Sequence, residues 1–306
     1  MIQDRVIALG FFDGVHLGHA ALLTLARKRA DSLGISAAAL TFDTHPDTLV
    51  LHQPVPLINT MTDRQWLMRE KFAMDEVLVA HFDRTMMEMP WETFVDEYLI
   101  GALGARHVIC GHDFSFGYMG EGNPARLRRQ CSLRGVGVDV VDKVVRGGVT
   151  VSSTHIRQLI RQGDMEGAAQ LLGHRHFLSG TVAHGKELGR RLGFPTANLL
   201  LPAGLLAPAF GVYATLVTLP DGSVHPAVTN VGIRPTVHDT LGPMVEAWLM
   251  DYDGTLYGET IRVEFFTRLR GEKQFPNLDA LRDEVLHNAE ETRNYFASLR
   301  HAAPRA

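Results

Sequence analysis

Two histidines separated by a Leu-Gly pair carry the first chemistry in this chain. They end the string Gly10-Phe11-Phe12-Asp13-Gly14-Val15-His16-Leu17-Gly18-His19, between a β-rich run, Arg5 to Leu9, and a helical stripe at Leu22, Ala26, Ala30 and Leu33. A glycine-bearing loop at the C-terminal end of the first strand of a parallel sheet lies where such sheets bind ligands. The helix start that follows offers unpaired N–H groups and a positive dipole end to an anion. His16 and His19 can thus put two imidazoles on one polyphosphate, with Gly10, Phe11, Phe12, Asp13, Gly14 and Gly18 shaping the loop. The string is neither GxGxxG nor a Walker A loop, which disfavours plain dinucleotide binding and P-loop chemistry. The bland alternative is a cap histidine and a surface histidine at an ordinary strand–helix turn.

A second cradle lies far along the chain, in Val151-Ser152-Ser153-Thr154-His155-Ile156-Arg157. Three hydroxyl residues at a helix start with an arginine in the first turn suit an anion. Alone, the run is an ordinary capping arrangement. Beside the first motif, Ser152, Ser153, Thr154 and Arg157 become the other jaw of a phosphate clamp.

A third cluster follows in Gly180 to Asn198. Gly185, Gly189 and Gly193 alternate with Lys186, Arg190 and Arg191, and Phe194-Pro195-Thr196-Ala197-Asn198 closes the stretch. The GxxxxGK match at Gly180 to Lys186 fails as a P-loop, because Glu187 stands where Ser or Thr is required. What remains is a basic, glycine-rich loop suited to closing over phosphates, or simply a solvated one. The acid–base candidate is Glu246, in Val245-Glu246-Ala247-Trp248. A carboxylate can orient an attacking hydroxyl and take its proton, although a glutamate on an alternating strand usually just faces water.

The elements that must hold these residues change character along the chain. Strand-like and helix-like segments alternate through the first half: strands at Ile35 to Phe42, Glu76 to Phe82, His107 to Cys110 and Val136 to Val141, with helices after Thr62, from Pro90 and from Asn123-Pro124. That alternation predicts a Rossmann-like parallel sheet covered on both faces, an α/β fold. Asp164 caps a last short helix ending at Leu172-Gly173. Beyond about 172–177 strand-like runs follow one another with turn signals between them. Pro220-Asp221-Gly222-Ser223 joins two of these runs as a hairpin, its Asp-Gly favouring a primed turn. A helix with Leu281, Val285, Ala289, Phe296 and Leu299 on its stripe ends the chain. The second half therefore reads as a small antiparallel barrel with a terminal helix, giving domains at 1–173 and 174–301 and a frayed tail at 302–306.

Composition narrows the class. At 306 residues, with 45% hydrophobic and 21% charged, two domains of ordinary size are expected, at roughly 150 residues each. No apolar run approaches the ~18 residues a membrane span needs, and the N-terminus lacks a signal-peptide pattern. Two cysteines, Cys110 and Cys131, exclude a disulfide framework and a four-cysteine zinc site and point to the cytoplasm. With 30 basic and 34 acidic residues there is no bulk electrostatic grip for nucleic acid. The 15 histidines are more than expected. His174-x-His176 lacks a partner for zinc, and both are expected at the surface.

Together the motifs carry a resemblance. HxGH with SSTxIR resembles the nucleotidylyltransferase superfamily, and GFFDGVHLGH resembles the adenylyltransferase half of bacterial bifunctional riboflavin kinase/FAD synthetases. Thr41-Phe42-Asp43-Thr44-His45-Pro46 and Gly111-His112-Asp113-Phe114-Ser115-Phe116-Gly117 are similar to two further strings of that family, and PTAN at 195–198 resembles its kinase half. The resemblance implies adenylyl transfer from ATP to FMN, with His16, His19 and Arg157 on the phosphates. It implies flavin contacts from Asp43, His45, Asp113, Phe114 and Phe116. It also implies phosphorylation of riboflavin, with Thr196 and Asn198 on Mg²⁺ and Glu246 as base. Arg234, Arg270 and Phe275, in strings similar to the family's, would contact flavin there. ATP, riboflavin and FMN are then the small-molecule partners. The chain departs from the family pattern at Thr44, His174, His176, Ala247, Trp248 and Asn288, which leaves open retention of a single activity or a flavin-binding regulatory role.

Overall fold

A computed structural model describes residues 3–50, 52–185, 189, 192–233 and 242–302. By internal contacts the chain divides into two compact units, Met1–Ser153 and Thr154–Ala306.

The first unit is built on β1 (Arg5–Leu9), β2 (Ser36–Phe42), β3 (Glu76–Ala80), β4 (Ala105–Gly111) and β5 (Gly137–Val141), all parallel, in the order β3-β2-β1-β4-β5. Runs such as Val6 to Leu9 and Ala37 to Leu40 are almost wholly buried, as expected for strands covered on both faces. Helix α1 (Leu17–Leu33) packs Leu23, Ala26 and Ala30 inward and stops at Gly34, whose N–H bonds the Ala30 carbonyl. Short helices α2 (Pro46–Val50), α3 (Met61–Trp66), α4 (Arg84–Met87) and α5 (Trp91–Thr93) follow, α3 and α5 running on as wider π-type turns over Leu67–Lys71 and Phe94–Ala102. With α6 (Pro124–Leu133), capped by Asn123, they bury Phe94, Val95, Leu99, Leu127 and Cys131 against Ile7, Leu9, Val108 and Cys110. A small exposed hairpin, β6 (Val145–Arg146) and β7 (Val149–Thr150), completes the unit. The chain runs from β1 outward to β3, then returns to β4 on the other side of β1. The switch point between β1 and β4 is where the carboxyl ends of such a sheet leave a crevice.

In the second unit α7 (Ser153–Gln162), whose first residue closes the first unit, and α8 (Met165–Leu172) precede a closed antiparallel barrel. The barrel consists of β8 (His176–Ala183), β9 (Ala197–Leu200), β10 (Gly211–Thr218), β11 (Val224–Ile233), β12 (Pro243–Leu249) and β13 (Thr260–Arg270), ordered β10-β11-β12-β9-β8-β13. Helix α9 (Leu278–Ala302) lies on its outer surface, with Ala289 buried beside Val212, Val228 and Met250. Alternation decides what each strand presents. On β12, Val245, Ala247 and Leu249 are buried in the barrel wall, while Met244, Glu246 and Trp248 line a cavity on the face carrying α9.

Two expectations need correction. The β10–β11 hairpin forms, but not through a primed turn: Gly222 N–H bonds the Leu219 carbonyl, and at the tip only Gly222 has positive φ, 84°. Pro220 locks its own φ near −65°, so the chain takes an ordinary turn and leaves the left-handed step to the glycine. His176 is not a surface residue. Its side chain is fully enclosed, its ring stacked on Phe265 at 5.8 Å between centroids. No helix among the described residues is long and apolar enough to cross a membrane. Ala303 to Ala306 lie outside the described residues.

Candidate active sites

The first site lies at the C-terminal ends of β1 and β2. After Gly10 the backbone turns through three left-handed residues, Phe12, Gly14 and Val15 (φ 59°, 79° and 41°). Such a run in non-glycine residues stores strain and holds only where neighbours over-determine it. Those neighbours are present. The Phe11 carbonyl accepts from Thr41 Oγ1 at 2.7 Å and Arg64 Nη1 at 2.9 Å. Asp13 Oδ1 accepts from the Ile58 and Asn59 N–H groups at 2.9 and 3.4 Å. Ser153 Oγ donates to the Asp13 carbonyl at 2.9 Å, tying the start of the second motif to the first.

His16 caps α1: its Nδ1 accepts from the His19 N–H at 3.3 Å. An accepting Nδ1 puts the proton of the neutral ring on Nε2, as a donor. The His16 and His19 rings stack at 3.6 Å and 12°, and Phe12 meets His19 edge-on at 5.2 Å. Burial pushes His19 well below the usual histidine range, assisted by His16 and Arg64. The pair sits close-set at a helix N-terminus, an arrangement able to offer donors to an anion. Gly18 faces the His16 ring, where a Cβ would lie 3.0 Å from Cε1.

The remaining first-unit candidates divide. His45 stands edge-on to Phe11 at 4.5 Å, within the loop cluster. Asp43 binds His81 Nδ1 at 2.5 Å and the Phe82 N–H at 3.0 Å. Burial raises its pKa, but His81, Phe82 and the hydroxyl of the departing Thr44 together hold it below the usual carboxylate range. Asp113 is exposed, its Oδ1 3.9 Å from His112 Nδ1. Phe116 belongs to the buried sheet core, and Phe114 stacks on it at 5.4 Å. Arg157 is buried in α7, Thr154 is exposed, and both belong to the second unit.

The second site is a cavity of about 420 Å³ between the barrel and α9. Register builds its floor. Glu246 on β12 pairs with Asn198 on β9 and with Asn230 on β11, so three polar side chains cross adjacent strands on the face lining the cavity. The glutamate does face outward, as its alternation implies, and α9 roofs it with Leu281, Val285 and Asn288. Asn198 is buried, donates to the Thr196 carbonyl at 3.1 Å, and its Oδ1 has no hydrogen-bond partner among the described residues. Thr196 and Asn198 also line a smaller cavity with Gly185, Pro195 and Tyr257.

At the other end, Arg270 bonds Asn288 Oδ1 at 3.1 Å and Glu284 at 3.0 Å, with Phe275 5.6 Å from its guanidinium. The departing Asn288 thus accepts from Arg270 while Glu284 supplies the charge. The other departure, Trp248, packs on Phe194 at 5.7 Å and lines the cavity. Gly193 takes φ 92° beside Phe194. Lys186, Arg190 and Arg234 lie outside the described residues. Arg64 and Asn230 are among the residues missing from the sequence-derived sites. Asn230 sits two positions from Val228 on the same strand face and was legible from alternation; nothing in sequence marks Arg64.

Two family models match the chain: FAD synthetase over residues 1–155 and riboflavin kinase over residues 172–296. Bifunctional riboflavin kinase/FMN adenylyltransferase of Listeria monocytogenes is 35% identical over 298 residues, covering 97% of this chain and 94% of the relative. The enzymes of that name from Bacillus subtilis and Haemophilus influenzae are 33% and 34% identical, over 96% and 97% of this chain and 93% and 96% of theirs. The chain belongs to this family. It carries an FAD synthetase domain followed by a riboflavin kinase domain. A Streptococcus pneumoniae structure named as a macrolide-efflux protein shares the fold, with a TM-score of 0.85 and 29% identity over 96% of this chain and 95% of that one.

Proposed function

We propose that residues 1–173 transfer an adenylyl group from ATP to FMN and that residues 174–301 phosphorylate riboflavin to FMN, so that one chain carries riboflavin to FAD. The reading rests on one observation: each family match contains its own set of clustered polar side chains, the stacked histidines at the start of α1 and the Asn198–Glu246–Asn230 row.

In the first reaction an FMN phosphate oxygen attacks the α-phosphorus of ATP in line, and pyrophosphate leaves with the electron pair. No protein nucleophile is required, so catalysis is positioning and charge stabilisation. His16 donates from Nε2 to a phosphate oxygen, His19 backs it, and the N–H groups at the start of α1 add a fixed dipole. Arg157, with Ser152, Ser153 and Thr154, takes charge developing on the leaving pyrophosphate, a role assigned from the SSTHIR motif. Asp43, His45, Asp113 and Phe114 bound the flavin side.

In the second reaction Glu246 orients the riboflavin hydroxyl and accepts its proton as oxygen attacks the γ-phosphorus and ADP leaves. Arg270, Phe275 and Trp248 border the flavin end of the large cavity, and the smaller cavity lined by Gly185, Pro195 and Tyr257 takes the phosphates. The orphaned Asn198 Oδ1 beside Thr196 is a hard oxygen donor set, the kind Mg²⁺ takes alongside substrate phosphates. Bound there, Mg²⁺ would neutralise phosphate charge. The free thiols Cys110 and Cys131 fit a reducing cytoplasm.

Each half is tested by its own substrate. Riboflavin with ATP and Mg²⁺ is expected to give FMN, and FMN with ATP and Mg²⁺ to give FAD and pyrophosphate, resolved by chromatography. A half whose product does not exceed a no-enzyme control contradicts its assignment.

A further inference from the structure

Arg64 is the largest fully buried side chain among the described residues and carries a charge. It sits in α3, whose Thr60 cap and Asp63 exchange hydrogen bonds at the helix start. From there one nitrogen, Nη1, reaches the Phe11 carbonyl at 2.9 Å, Thr41 Oγ1 at 3.2 Å and the Phe42 carbonyl at 3.2 Å. Nη2 stands 4.0 Å from Asp13 Oδ1. The guanidinium lies 4.2 Å from the centre of the Phe11 ring, whose edge contact is His45. One side chain therefore binds the backbone at the ends of β1 and β2 and faces the carboxylate of the left-handed turn.

Burying a guanidinium is costly unless its protons are used. A methionine would fill the volume without that penalty. What it cannot do is hold two carbonyls and balance a carboxylate at once. The segment so held is Phe11 to Asp13, immediately before the stacked histidines, and Phe12 within it touches the His19 ring.

We propose that Arg64 is a positioning residue for adenylyl transfer, fixing the Phe11–Asp13 turn so that His16 and His19 meet the phosphates in one prepared arrangement. This rests on the assignment of adenylyl transfer to the first site. Arg64 touches no substrate; it acts through the loop. Its charge also reaches His19, which together with His16 it helps keep neutral.

The test compares Arg64→Met and Arg64→Lys in the full chain, with riboflavin phosphorylation as an internal control. For Arg64→Met, kcat for FAD formation from FMN should fall about 100-fold, the effect of roughly an ångström of misplacement, with KM for ATP changed less than threefold. FMN formation should be unchanged. The His19 ring, followed by proton resonance, should titrate at higher pH than in the parent chain, since a neighbouring positive charge is gone. Arg64→Lys should restore part of both the rate and the titration. Should Arg64→Met fail to fold, Thr41→Val removes the other donor to the Phe11 carbonyl, and kcat should fall about tenfold. Full adenylyl-transfer rate with unshifted His19 titration in Arg64→Met, or in its absence full rate in Thr41→Val, overturns the proposal. A parent chain that makes no FAD from FMN overturns the assignment beneath it instead.

Discussion

His176 heads β8 with its ring enclosed against Phe265 and both ring nitrogens without a hydrogen-bond partner among the described residues. Burial, then the neighbouring His174, pushes its pKa down to about 3 from an ordinary 6.5. The sign follows from linkage. Above 6.5 neither folded nor unfolded chain protonates this ring. As pH falls from 6.5 toward 3 the unfolded chain takes up a proton that the barrel refuses, and stability is lost. At pH 5 that loss is about 2 kcal/mol. His176→Phe keeps the stacking and removes the titration. Thermal unfolding should find it at least as stable as the parent at pH 7, and less destabilised between pH 7 and pH 5. An equal acid loss in both chains would contradict this account. Sequence reasoning puts His176 at the surface because His174-x-His176 has no nearby cysteine or HExxH partner to hold a metal. Pairing of β8 with β13, a contact distant in the chain, decided otherwise.

At the scale of elements, the sites depend on where strands end and which face they show. The HxGH loop was legible because its strand, glycines and helix start are contiguous. Asn198, Glu246 and Asn230 come from three strands, and only the register of β9, β12 and β11 brings them into a row. That Glu246 is roofed rather than solvated depends on α9, which no local pattern on β12 announces. Phe116, whose motif implies a flavin contact, packs in the sheet core with Phe94 at 5.2 Å. Close approach of elements gives a further prediction. A Cβ at Gly185 would lie 2.6 Å from Asn198 Nδ2 and 3.0 Å from its Oδ1. Gly185→Ala should displace the Asn198 amide and lower kcat for FMN formation about tenfold or more, leaving adenylation of supplied FMN unchanged. Steady-state kinetics on each substrate checks it, and an unaltered rate of FMN formation would show that Asn198 does not need its present position.

Across the whole molecule, a net charge of −4 leaves the proposed phosphate binding to two local sites rather than to a basic surface. The two-domain reading was available from length and from the change of strand rhythm near residue 175. The finer partition was less visible, because α7 begins at the edge of one compact unit and continues in the other, while the family matches end and begin at 155 and 172. Such an organisation makes the central claim one of separability. The direct measurement is a flavin chromatogram of His19→Ala and Glu246→Gln, each given riboflavin, ATP and Mg²⁺, and in parallel FMN, ATP and Mg²⁺. His19→Ala should accumulate FMN and form no FAD from either substrate. Glu246→Gln should leave riboflavin unconverted yet turn FMN into FAD at the parent rate. Loss of both reactions in either variant, or of neither in both, would contradict the assignment of two independent sites.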